Sequence, residues 1–359
     1  MTKPALYGLI LAGGRGTRFW PRSRRDHAKQ VLSVVGESSL IQTTVKRLSP
    51  LIPPERLWVL TSDTLRGEIV RQLPEIPAGQ ILAEPAPRNT APAIGLAARI
   101  FESLSPGALM GVFPSDHVIA KPAAYLKLVR LAVRAAAQGT IVVLGIQPTR
   151  PDTGFGYVEF EAVAATEKPS VQRVLQFREK PDLATARRYL RVGRFYWNAG
   201  MFFWRAADLL EALRRFLPRT ATILSALPHP DDRQFAEKLK EAFPLCENIS
   251  IDYAVLERAS NVVGVPCGDL GWSDVGSWEA VHELLPKDEA GNVARSETLF
   301  EQSSNNYVDA NGKLTALLGV EDLIVVDTPD ALLVAHRSRA QQVGDLVKTL
   351  ERKNRTDLL

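Results

Sequence analysis

Cysteine is scarce in this sequence of 359 residues, and Cys246 and Cys267 are its only two thiols. Two cysteines build no disulfide framework, which fits proteins that fold in a reducing compartment, and we expect a cytoplasmic protein. The five histidines are scattered and no CxxC pair occurs, which argues against a zinc site.

Long hydrophobic runs are also missing. No apolar run approaches the ~18 residues of a membrane-spanning helix, so no membrane association is expected. A glycine-rich stretch interrupts the N-terminal apolar segment, which argues against a signal peptide. No tract rich in lysine and arginine suggests a nucleic-acid partner, and the modest net charge of +4 suits acidic small molecules.

The most informative stretch that is present covers residues 6–30. An apolar run over residues 6–12 predicts a short buried strand. Gly13, Gly14 and Gly16 follow it, and a loop of glycines can present backbone N–H groups to an anion. The same stretch carries these cations: Arg15, Arg18, Arg22, Arg24, Arg25 and Lys29. Together these features predict a polyphosphate site, with a tight turn beside a basic surface as the alternative.

The spacing of the glycines excludes two common phosphate loops. A Walker loop needs G-x-x-x-x-G-K-[ST], and a dinucleotide-binding fold needs G-x-G-x-x-G, and neither is present. The pattern here is L-A-G-G-x-G-T-R, followed by the basic residues and by Lys29 and Gln30.

Short apolar strands alternate with helices up to about residue 146, which predicts a doubly wound, mostly parallel α/β sheet of the Rossmann-like type. Ligands of such sheets bind at the carboxyl ends of the strands, where the glycine loop, Glu84 and Asp116 all fall. A carboxylate at that edge can hold Mg2+, so Asp116 is a predicted metal ligand and Asp274 its predicted partner. The alternative for either aspartate is a turn or a helix cap.

The chain from residue 149 onward has a different character, with polar groups set among aromatic strands. Asn198 and Gly200 interrupt an aromatic strand predicted over residues 195–204, and they fit poorly into a strand core. A sugar needs amide and carboxylate partners for its hydroxyls, together with close backbone approach. Asn198, Glu179 and Gly154 are of that chemical kind.

Short strands and turns follow the segment that ends near residue 288. We therefore predict two domains, a catalytic domain over residues 1–288 and a small β-rich domain over residues 289–359 that ends in a helix. The pair Asn311-Gly312 predicts a hairpin turn. No hexapeptide repeat supports a long β-helix, so at most a short left-handed β-helix-like fold is expected.

A series of motifs carries a family resemblance, and all of them lie between residues 11 and 278. In order they are LAGGRGTR, AKQ, EPAPRNTAPA, PSDH, TRPDTGFGYVEF, FREKP, WNAGMF, IDYAVLE and GWSDVGSW. This set resembles the mannose-1-phosphate guanylyltransferases among the sugar-phosphate nucleotidylyltransferases. The resemblance implies transfer of GMP from GTP to mannose 1-phosphate, giving GDP-mannose and pyrophosphate.

The resemblance also implies roles for individual residues. The expected catalytic residues are Arg18, Lys29, Asp116, Lys180 and Asp274, and the two aspartates would hold Mg2+ or another divalent cation. The expected nucleotide-binding residues are Leu11, Ala12, Gly13, Gly14, Gly16, Thr17, Glu84, Arg88, Asn89, Thr90 and Ser115. The expected sugar-binding residues are Gly154, Tyr157, Glu179, Asn198 and Asp252. Arg18 and Lys29 are expected to be solvated cations that add little to stability.

Three other interpretations stay open. The chain could use another hexose 1-phosphate or nucleotide, such as glucose 1-phosphate with UTP or dTTP. It could be a binding module that has lost the chemistry, although Asp116 and Asp274 argue against this. It could be a glycosyltransferase, but that class favours a D-x-D motif and PSDH has a single aspartate. The oligomeric state also stays open, with a homodimer among the options.

Overall fold

The structure is a computed structural model that describes residues 4–161 and 169–359. No helix within these ranges has the length and apolar character needed to cross a membrane. The first elements along the chain are β1 (Leu6–Ala12), α1 (Leu40–Leu48), β2 (Leu57–Ser62), α2 (Asp63–Gln72), β3 (Ile81–Glu84), α3 (Thr90–Leu104), β4 (Leu109–Pro114), β5 (Val118–Ile119), α4 (Pro122–Ala136) and β6 (Ile141–Ile146).

The middle of the chain continues the same layered arrangement. Its elements are β7 (Tyr157–Phe160), β8 (Gln172–Arg178), α5 (Leu183–Val192), β9 (Phe195–Arg205), α6 (Ala206–Phe216), α7 (Pro218–Ser225), α8 (Phe235–Ala242), a π-helical turn (Asp252–Leu256), β10 (Val262–Cys267), β11 (Trp272–Ser273) and α9 (Trp278–Leu284).

The central sheet has nine strands in the order β3-β2-β1-β4-β9-β6-β10-β8-β7. Strands β1 to β4 are mutually parallel, so their carboxyl ends share one edge. Strand β9 runs antiparallel between β4 and β6, which makes the sheet mixed in its second half. Successive residues of a strand point to opposite faces, so Ile10 packs into the core on one side and Leu9 into the core on the other.

Strand β9 is continuous, whereas the sequence predicts an interruption at Asn198-Ala199-Gly200. Its pairing with β6 becomes irregular between Asn198 and Phe202, and Gly200 has a φ of 64°. Extra residues on one strand are accommodated as a bulge, which re-aims side chains without ending the strand. The Asn-Ala-Gly segment is therefore a bulge at the middle of the sheet.

The C-terminal part is built from short strands in stacked layers. Its elements are β12 (Val293–Ala294), β13 (Thr298–Glu301), β14 (Tyr307–Asp309), β15 (Thr315–Leu318), β16 (Leu323–Asp327), β17 (Leu332–His336) and α10 (Val343–Arg352). Strands β12, β14 and β16 pair in parallel, β17 joins them antiparallel, and β13 pairs in parallel with β15. The predicted boundary at residue 288 falls in the loop between α9 and β12, and the division itself stays a prediction.

The predicted hairpin at Asn311-Gly312 is wrong. The strands on either side of it, β14 and β15, belong to different sheets and pair with other strands. Gly312 does take the expected positive φ of 67°, but the turn forms a corner between the stacked layers of short strands. At another corner the Asn306 amide donates to Asn292 Oδ1 at 3.0 Å, and Asn306 Oδ1 accepts from Leu323 N at 2.9 Å. These bonds join successive layers of the C-terminal strands. A β-helix-like fold requires such bonds between layers, whereas a hairpin does not.

One apolar core joins the start of the chain to its end. Phe19 and Trp20, which follow the glycine loop, pack in the same cluster as Trp278 of α9 and Val343 and Val347 of α10. The Trp278 indole N–H donates to the Trp20 carbonyl at 3.1 Å. The C-terminal part therefore rests directly on the segment that the sequence analysis singles out.

Candidate active site at the carboxyl ends of the parallel strands

The glycine loop leaves β1 at Ala12 and is held from the inside by Gln30. The Gln30 amide donates to the carbonyls of Ala12 at 2.8 Å and Gly14 at 3.1 Å. Gly16 has a φ of 61°, and a Cβ at this position would lie 2.5 Å from Lys29 Cβ. The loop thus needs glycine at position 16 for two reasons, the backbone conformation and the close approach of Lys29.

Lys29 lies where the two predicted metal ligands converge. Its ammonium group is 2.9 Å from Asp116 Oδ2 and donates to the main-chain carbonyl of Asp274 at 2.5 Å. The lysine itself is buried, which contradicts the expectation of a solvated cation. The structure therefore gathers a cation and two aspartates, from three distant motifs, at one point.

Two short strands explain how the aspartates meet. Strand β5 directly follows the PSDH motif, and β11 lies within GWSD, and the two pair antiparallel with Val118 opposite Ser273. Residues just before β5 and just after β11 therefore lie side by side. The Trp272 indole N–H also donates to His117 Nδ1 at 3.2 Å, which adds a side-chain bond between the motifs.

The electrostatics of the two aspartates differ. Burial disfavours the charged form of Asp116, but the charge and hydrogen bond of Lys29, with smaller contributions from His117 and a backbone hydrogen bond, together hold the pKa of Asp116 below its ordinary value. Burial raises the pKa of Asp274, and the negative charge of Asp116 adds to that rise. Burial also lowers the pKa of His117 to about 4, so its ring is neutral and can accept from Trp272.

The donor set at this junction fits a hard divalent cation. Asp116 and Asp274 offer two carboxylates. No larger group, of three or more His, Cys, Asp or Glu side chains suited to a metal, occurs in the described part of the chain. Mg2+ is commonly held by one or two carboxylates, with phosphate oxygens and water as further ligands. Two carboxylates beside a phosphate-binding loop match that pattern.

Three of the cations assigned to the polyphosphate site by the sequence analysis point elsewhere. Arg15 pairs with Glu351 at 2.7 Å, Arg22 with Asp309 at 2.5 Å and Arg24 with Asp330 at 2.9 Å. Their partners all lie in the C-terminal part of the chain. Arg25 lies with Arg15 and Arg24 on the side that faces Val347 and Leu359. Arg18 is exposed, with its guanidinium 3.4 Å from the Gly276 carbonyl, and Lys29 contacts Asp116, so these two cations lie on the ligand side of this segment.

The segment after β3 is largely occupied by structural bonds. The Arg88 guanidinium donates to the Pro244 carbonyl, the Asn89 side chain caps α3 by accepting from Thr90 N at 3.0 Å, and Thr90 Oγ1 accepts from Ile251 N at 2.9 Å. Glu84 therefore neither holds Arg88 nor caps α3, the two structural roles that its position before this segment would allow. Burial raises the pKa of Glu84 to about 7.

Two other predicted nucleotide contacts are built into the scaffold. Ser115 is only 2% exposed, and its N–H donates to the Leu11 carbonyl at 3.1 Å. Ala12 is buried at the end of β1. The side chains of Ala12 and Ser115 therefore present little surface to a ligand, while Gly13 and Gly14 have open space where a Cβ would stand.

The predicted sugar side is a connected set of polar groups. The Asn198 amide donates to Asp252 Oδ1 at 3.0 Å, and Asn198 Oδ1 accepts from Gly200 N at 3.1 Å within the β9 bulge. Burial, with the nearby charge of Glu179, raises the pKa of Asp252 to about 7. Lys180 lies beside this set with its ammonium group 3.2 Å from Glu179 Oε1.

Tyr157 is the exception among the predicted sugar ligands. Its side chain is fully buried, and its hydroxyl donates to the Asp152 carbonyl at 2.9 Å and accepts from Asp152 N at 3.0 Å. The tyrosine thus braces the loop before β7 from inside the fold. Gly154 lies in that loop, with its N–H donating to Asp152 Oδ1 at 2.8 Å.

A cavity of about 580 Å³ borders part of this site, and its walls include Arg18, Gly154 and Asp274. Two further wall residues, Arg150 and Asp152, were missed by the sequence analysis. The cavity thus connects the predicted phosphate-binding cation, the predicted metal ligand and the loop of the predicted sugar site.

The two missed wall residues support each other. Arg150 pairs with Asp152 at 2.9 Å and lies over the Trp197 ring at 5.3 Å. In the same loop, a Cβ on Gly156 would collide with Glu179 Oε2, so the close approach of this carboxylate requires glycine there. A signal for these residues was available, because Arg150, Asp152 and Gly156 all lie inside the TRPDTGFGY motif.

Comparisons with known proteins agree with this geometry. Residues 7–291 match the family model described as nucleotidyl transferase, and residues 301–350 match one described as MannoseP isomerase/GMP-like beta-helix domain. The predicted fold class, a nucleotidyltransferase-type α/β domain followed by a β-rich C-terminal domain, is confirmed.

Relatives of the chain are similar over nearly its whole length. The mannose-1-phosphate guanylyltransferase of Escherichia coli K12 is 40% identical over 99% of this chain and 75% of its own. The xanthan biosynthesis protein XanB of Xanthomonas campestris is 41% identical over 97% of this chain and 74% of its own. A crystal structure from Thermus thermophilus, described as a mannose-1-phosphate geranyltransferase, has a TM-score of 0.85 and 34% identity over 96% of this chain and 99% of that one. The family resemblance inferred from the motifs is confirmed.

Proposed function

This chain belongs to the nucleotidyl transferase family, and on that premise we propose that it transfers GMP from GTP to α-D-mannose 1-phosphate, releasing GDP-mannose and pyrophosphate. The observation that carries the proposal is the junction of Lys29, Asp116 and Asp274 beside the glycine loop. Relatives that are named mannose-1-phosphate guanylyltransferase and align over nearly the entire chain support the choice of substrates.

The chemistry is an in-line substitution at phosphorus. A phosphate oxygen of mannose 1-phosphate forms a bond to the α-phosphorus of GTP, and the bond from that phosphorus to the β-phosphate bridging oxygen breaks. Pyrophosphate leaves with the electron pair. A phosphate monoester is largely ionised near pH 7, so no general base is needed to activate it.

The main task of the protein is then to bring two polyanions together and hold them in line. Lys29 and Arg18 face the ligand side of the glycine loop, and Lys180 stands beside the predicted sugar site, where it can meet the sugar phosphate. Asn198, Asp252 and Glu179 offer hydrogen-bonding partners for the hydroxyls of a hexose. Positive charge fixed in advance stabilises the charge that develops as the bond to pyrophosphate breaks.

We also propose that Asp116 and Asp274 hold a divalent cation, with Mg2+ as the first choice. When bound, the cation would neutralise negative charge on the phosphates and so assist the same attack. Lys29 already favours the ionised form of Asp116, which keeps that carboxylate available as a ligand.

Release of pyrophosphate tests the function directly. Wild-type protein is assayed with GTP, ATP, UTP and dTTP against mannose 1-phosphate and glucose 1-phosphate. GTP with mannose 1-phosphate should give the highest kcat/KM. A higher value for UTP or dTTP with glucose 1-phosphate would replace the proposed substrates, and no pyrophosphate release with any pair would favour a binding module.

The cation site is tested with Asp116→Asn and Asp274→Asn. Each change should abolish turnover while the far-UV circular dichroism spectrum stays that of the wild type. Electron paramagnetic resonance of Mn2+ bound in the presence of GTP should show weaker binding in both variants. Mn2+ binding equal to wild type in either variant would remove that aspartate from the cation site.

A further inference from the structure

The segment over residues 15–24 has two sides with different partners. On one side Gln30 donates to the carbonyls of Ala12 and Gly14, and Lys29 packs closely against Gly16. On the other side, four side chains of this segment contact the C-terminal part of the chain. Arg15, Arg22 and Arg24 each pair with a carboxylate there, and the Trp20 indole N–H donates to the Leu358 carbonyl at 2.9 Å.

Helix α10 packs against the residues that directly follow the glycines. A Cβ on Gly344, near the start of α10, would lie 3.3 Å from Thr17 Oγ1 and 3.8 Å from Arg18 Cγ. Near the other end of the helix, Glu351 Oε1 is 2.7 Å from Arg15 Nη2. The helix therefore lies along the back of the loop, with close backbone packing at one end and an ion pair at the other.

We infer that the Arg15–Glu351 pair positions the glycine loop for the triphosphate, so that helix α10 is a working part of the nucleotide site. This inference rests on the proposed function, because it concerns the nucleotide that the loop receives. Arg15 stands between Gly14 and Gly16, and a loop of glycines has many backbone conformations open to it. An anchor on the central residue reduces that freedom before the ligand arrives, and preorganisation of this kind strengthens binding.

The orientation of Arg15 identifies its role as positioning rather than direct binding. Its guanidinium is turned toward α10, and its side chain lines a small cleft together with Trp20, Val347 and Leu359. The stem of Arg18 passes the start of α10, but its guanidinium reaches the Gly276 carbonyl at 3.4 Å, and the side chain lines the cavity whose walls include Asp274. The two arginines of the same loop thus serve opposite faces.

The test uses amide substitutions in the full-length protein. Glu351→Gln, Arg15→Gln and the double variant are compared with wild type in GTP binding by calorimetry and in KM for GTP and for mannose 1-phosphate. An exposed ion pair of this kind should contribute about two- to fivefold to GTP affinity, so each single variant should weaken GTP by that factor. The double variant should be no weaker than the singles, and KM for mannose 1-phosphate should not change.

The control is Asp345→Asn, which removes an acid from the same helix. Asp345 pairs with Lys348 at 2.8 Å, and both side chains are exposed. This variant should bind GTP as wild type does, and all variants should melt at nearly the wild-type temperature. The loss caused by Glu351→Gln should shrink in high salt, because an exposed pair is screened.

Three results would overturn the inference. GTP binding unchanged in Glu351→Gln would show that the pair is without effect on the site. Tighter GTP binding in that variant would show that Glu351 restrains a phosphate-binding Arg15. Equal losses for GTP and mannose 1-phosphate would indicate a general disturbance. If the proposed function fails because wild type prefers another nucleotide, the same comparison of variants is made with that nucleotide, so the two proposals fail separately.

Discussion

Glu84 is not bonded to the nearby residues in sequence that could have held its carboxylate. It ends β3 at the ligand edge, and its expected structural partners are engaged elsewhere: Arg88 with Pro244, and the N-terminus of α3 with Asn89. Guanine presents two adjacent N–H donors that a carboxylate can accept together, whereas adenine does not. Glu84 is therefore our proposed reader of the base.

Replacement of Glu84 by Gln should weaken the use of GTP far more than that of ATP. A donor left unpaired in a buried site costs about 1–3 kcal/mol, so the ratio of kcat/KM for GTP to that for ATP should fall by roughly five- to a hundredfold. The measurement is kcat/KM for both nucleotides at fixed mannose 1-phosphate. An unchanged ratio would assign the choice of base to backbone groups or to Asn89.

The buried carboxyl also predicts a dependence on pH. Burial raises the pKa of Glu84 from the ordinary 4.5 to about 7, so the carboxyl loses its proton only as the pH rises through about 7. The GTP:ATP ratio should accordingly rise by up to about tenfold between pH 6 and 8, and Glu84→Gln should abolish the rise. Both nucleotides carry the same triphosphate, so its own titration cancels in the ratio.

The same shift has the opposite sign for stability. The unfolded chain releases the Glu84 proton near the ordinary pKa, while the folded chain retains it to about pH 7. Between those values the unfolded state binds fewer protons, so this residue lowers the free energy of unfolding as the pH rises. As the pH rises, ionisation of Glu84 thus increases the preference for GTP but lowers the free energy of unfolding.

Arg18 and Lys29 should separate in their effect on stability. Arg18 is exposed, so Arg18→Ala should change the free energy of unfolding by less than about 0.5 kcal/mol. Lys29 is buried against Asp116, and Lys29→Met leaves the aspartate without its partner, which should cost about 1–3 kcal/mol. Both variants should lose at least about tenfold in kcat/KM. Urea unfolding with assays of each variant checks both, and equal stability losses would contradict the distinction.

At the scale of elements, the glycine loop contains two kinds of glycine. Gly16 is needed by the fold, because a Cβ there would lie 2.5 Å from Lys29 Cβ, whereas Gly14 has no atom within 4 Å of such a Cβ. Gly16→Ala should therefore lower both the melting temperature and kcat/KM. Gly14→Ala should keep the melting temperature and weaken GTP alone, because only a bound phosphate would meet the added methyl group. A fall in melting temperature for Gly14→Ala would place its neighbours closer than we describe.

The pairing of β5 with β11 brings the two aspartates of the site together. Each is a two-residue strand, too short to be recognised from a hydrophobic pattern, yet their pairing aligns PSDH with GWSD. The sequence analysis paired Asp116 with Asp274 through the need for a second carboxylate and through family resemblance. The physical connection between them is visible only in the sheet pairing.

At the scale of the whole molecule, the two parts of the chain share a core and several ion pairs. Arg22 and Asp309 form a two-bonded pair across this contact, with only 11% of the aspartate side chain exposed. Asp309→Asn should lower the free energy of unfolding by about 1–3 kcal/mol, because a charged arginine loses its partner at a largely buried position. Glu211→Gln breaks an exposed pair on α6 and serves as the control, with no measurable loss expected.

Urea unfolding of these two variants should show one cooperative transition, since the core around Trp20, Trp278 and Val347 belongs to both parts. Two separate transitions in wild type would contradict a shared core. A loss in Glu211→Gln as large as that in Asp309→Asn would show that burial is not the deciding factor.

Three features can be predicted from the sequence alone: the layered α/β fold, the strand that leads into the glycine loop, and the chemical types of the residues at the ligand edge. These are properties of short stretches, because the periodicity of apolar residues and the conformations open to glycine act over a few neighbours. Asp116 and Asn198 could be singled out in this way, since one follows an apolar strand and the other interrupts one, and Lys29 is one of the cations of the glycine-loop stretch.

Which side chains are free to bind a ligand depends on long-range contacts in the folded protein. Arg15, Arg22 and Arg24 resemble Arg18 in sequence, yet their carboxylate partners lie some 300 positions away along the chain. Tyr157 is turned inward by bonds to Asp152, and Asn311-Gly312 forms a corner because its flanking strands pair with other layers. Local pattern cannot determine such pairings, because the energy of a contact depends on the partner that folding brings to it.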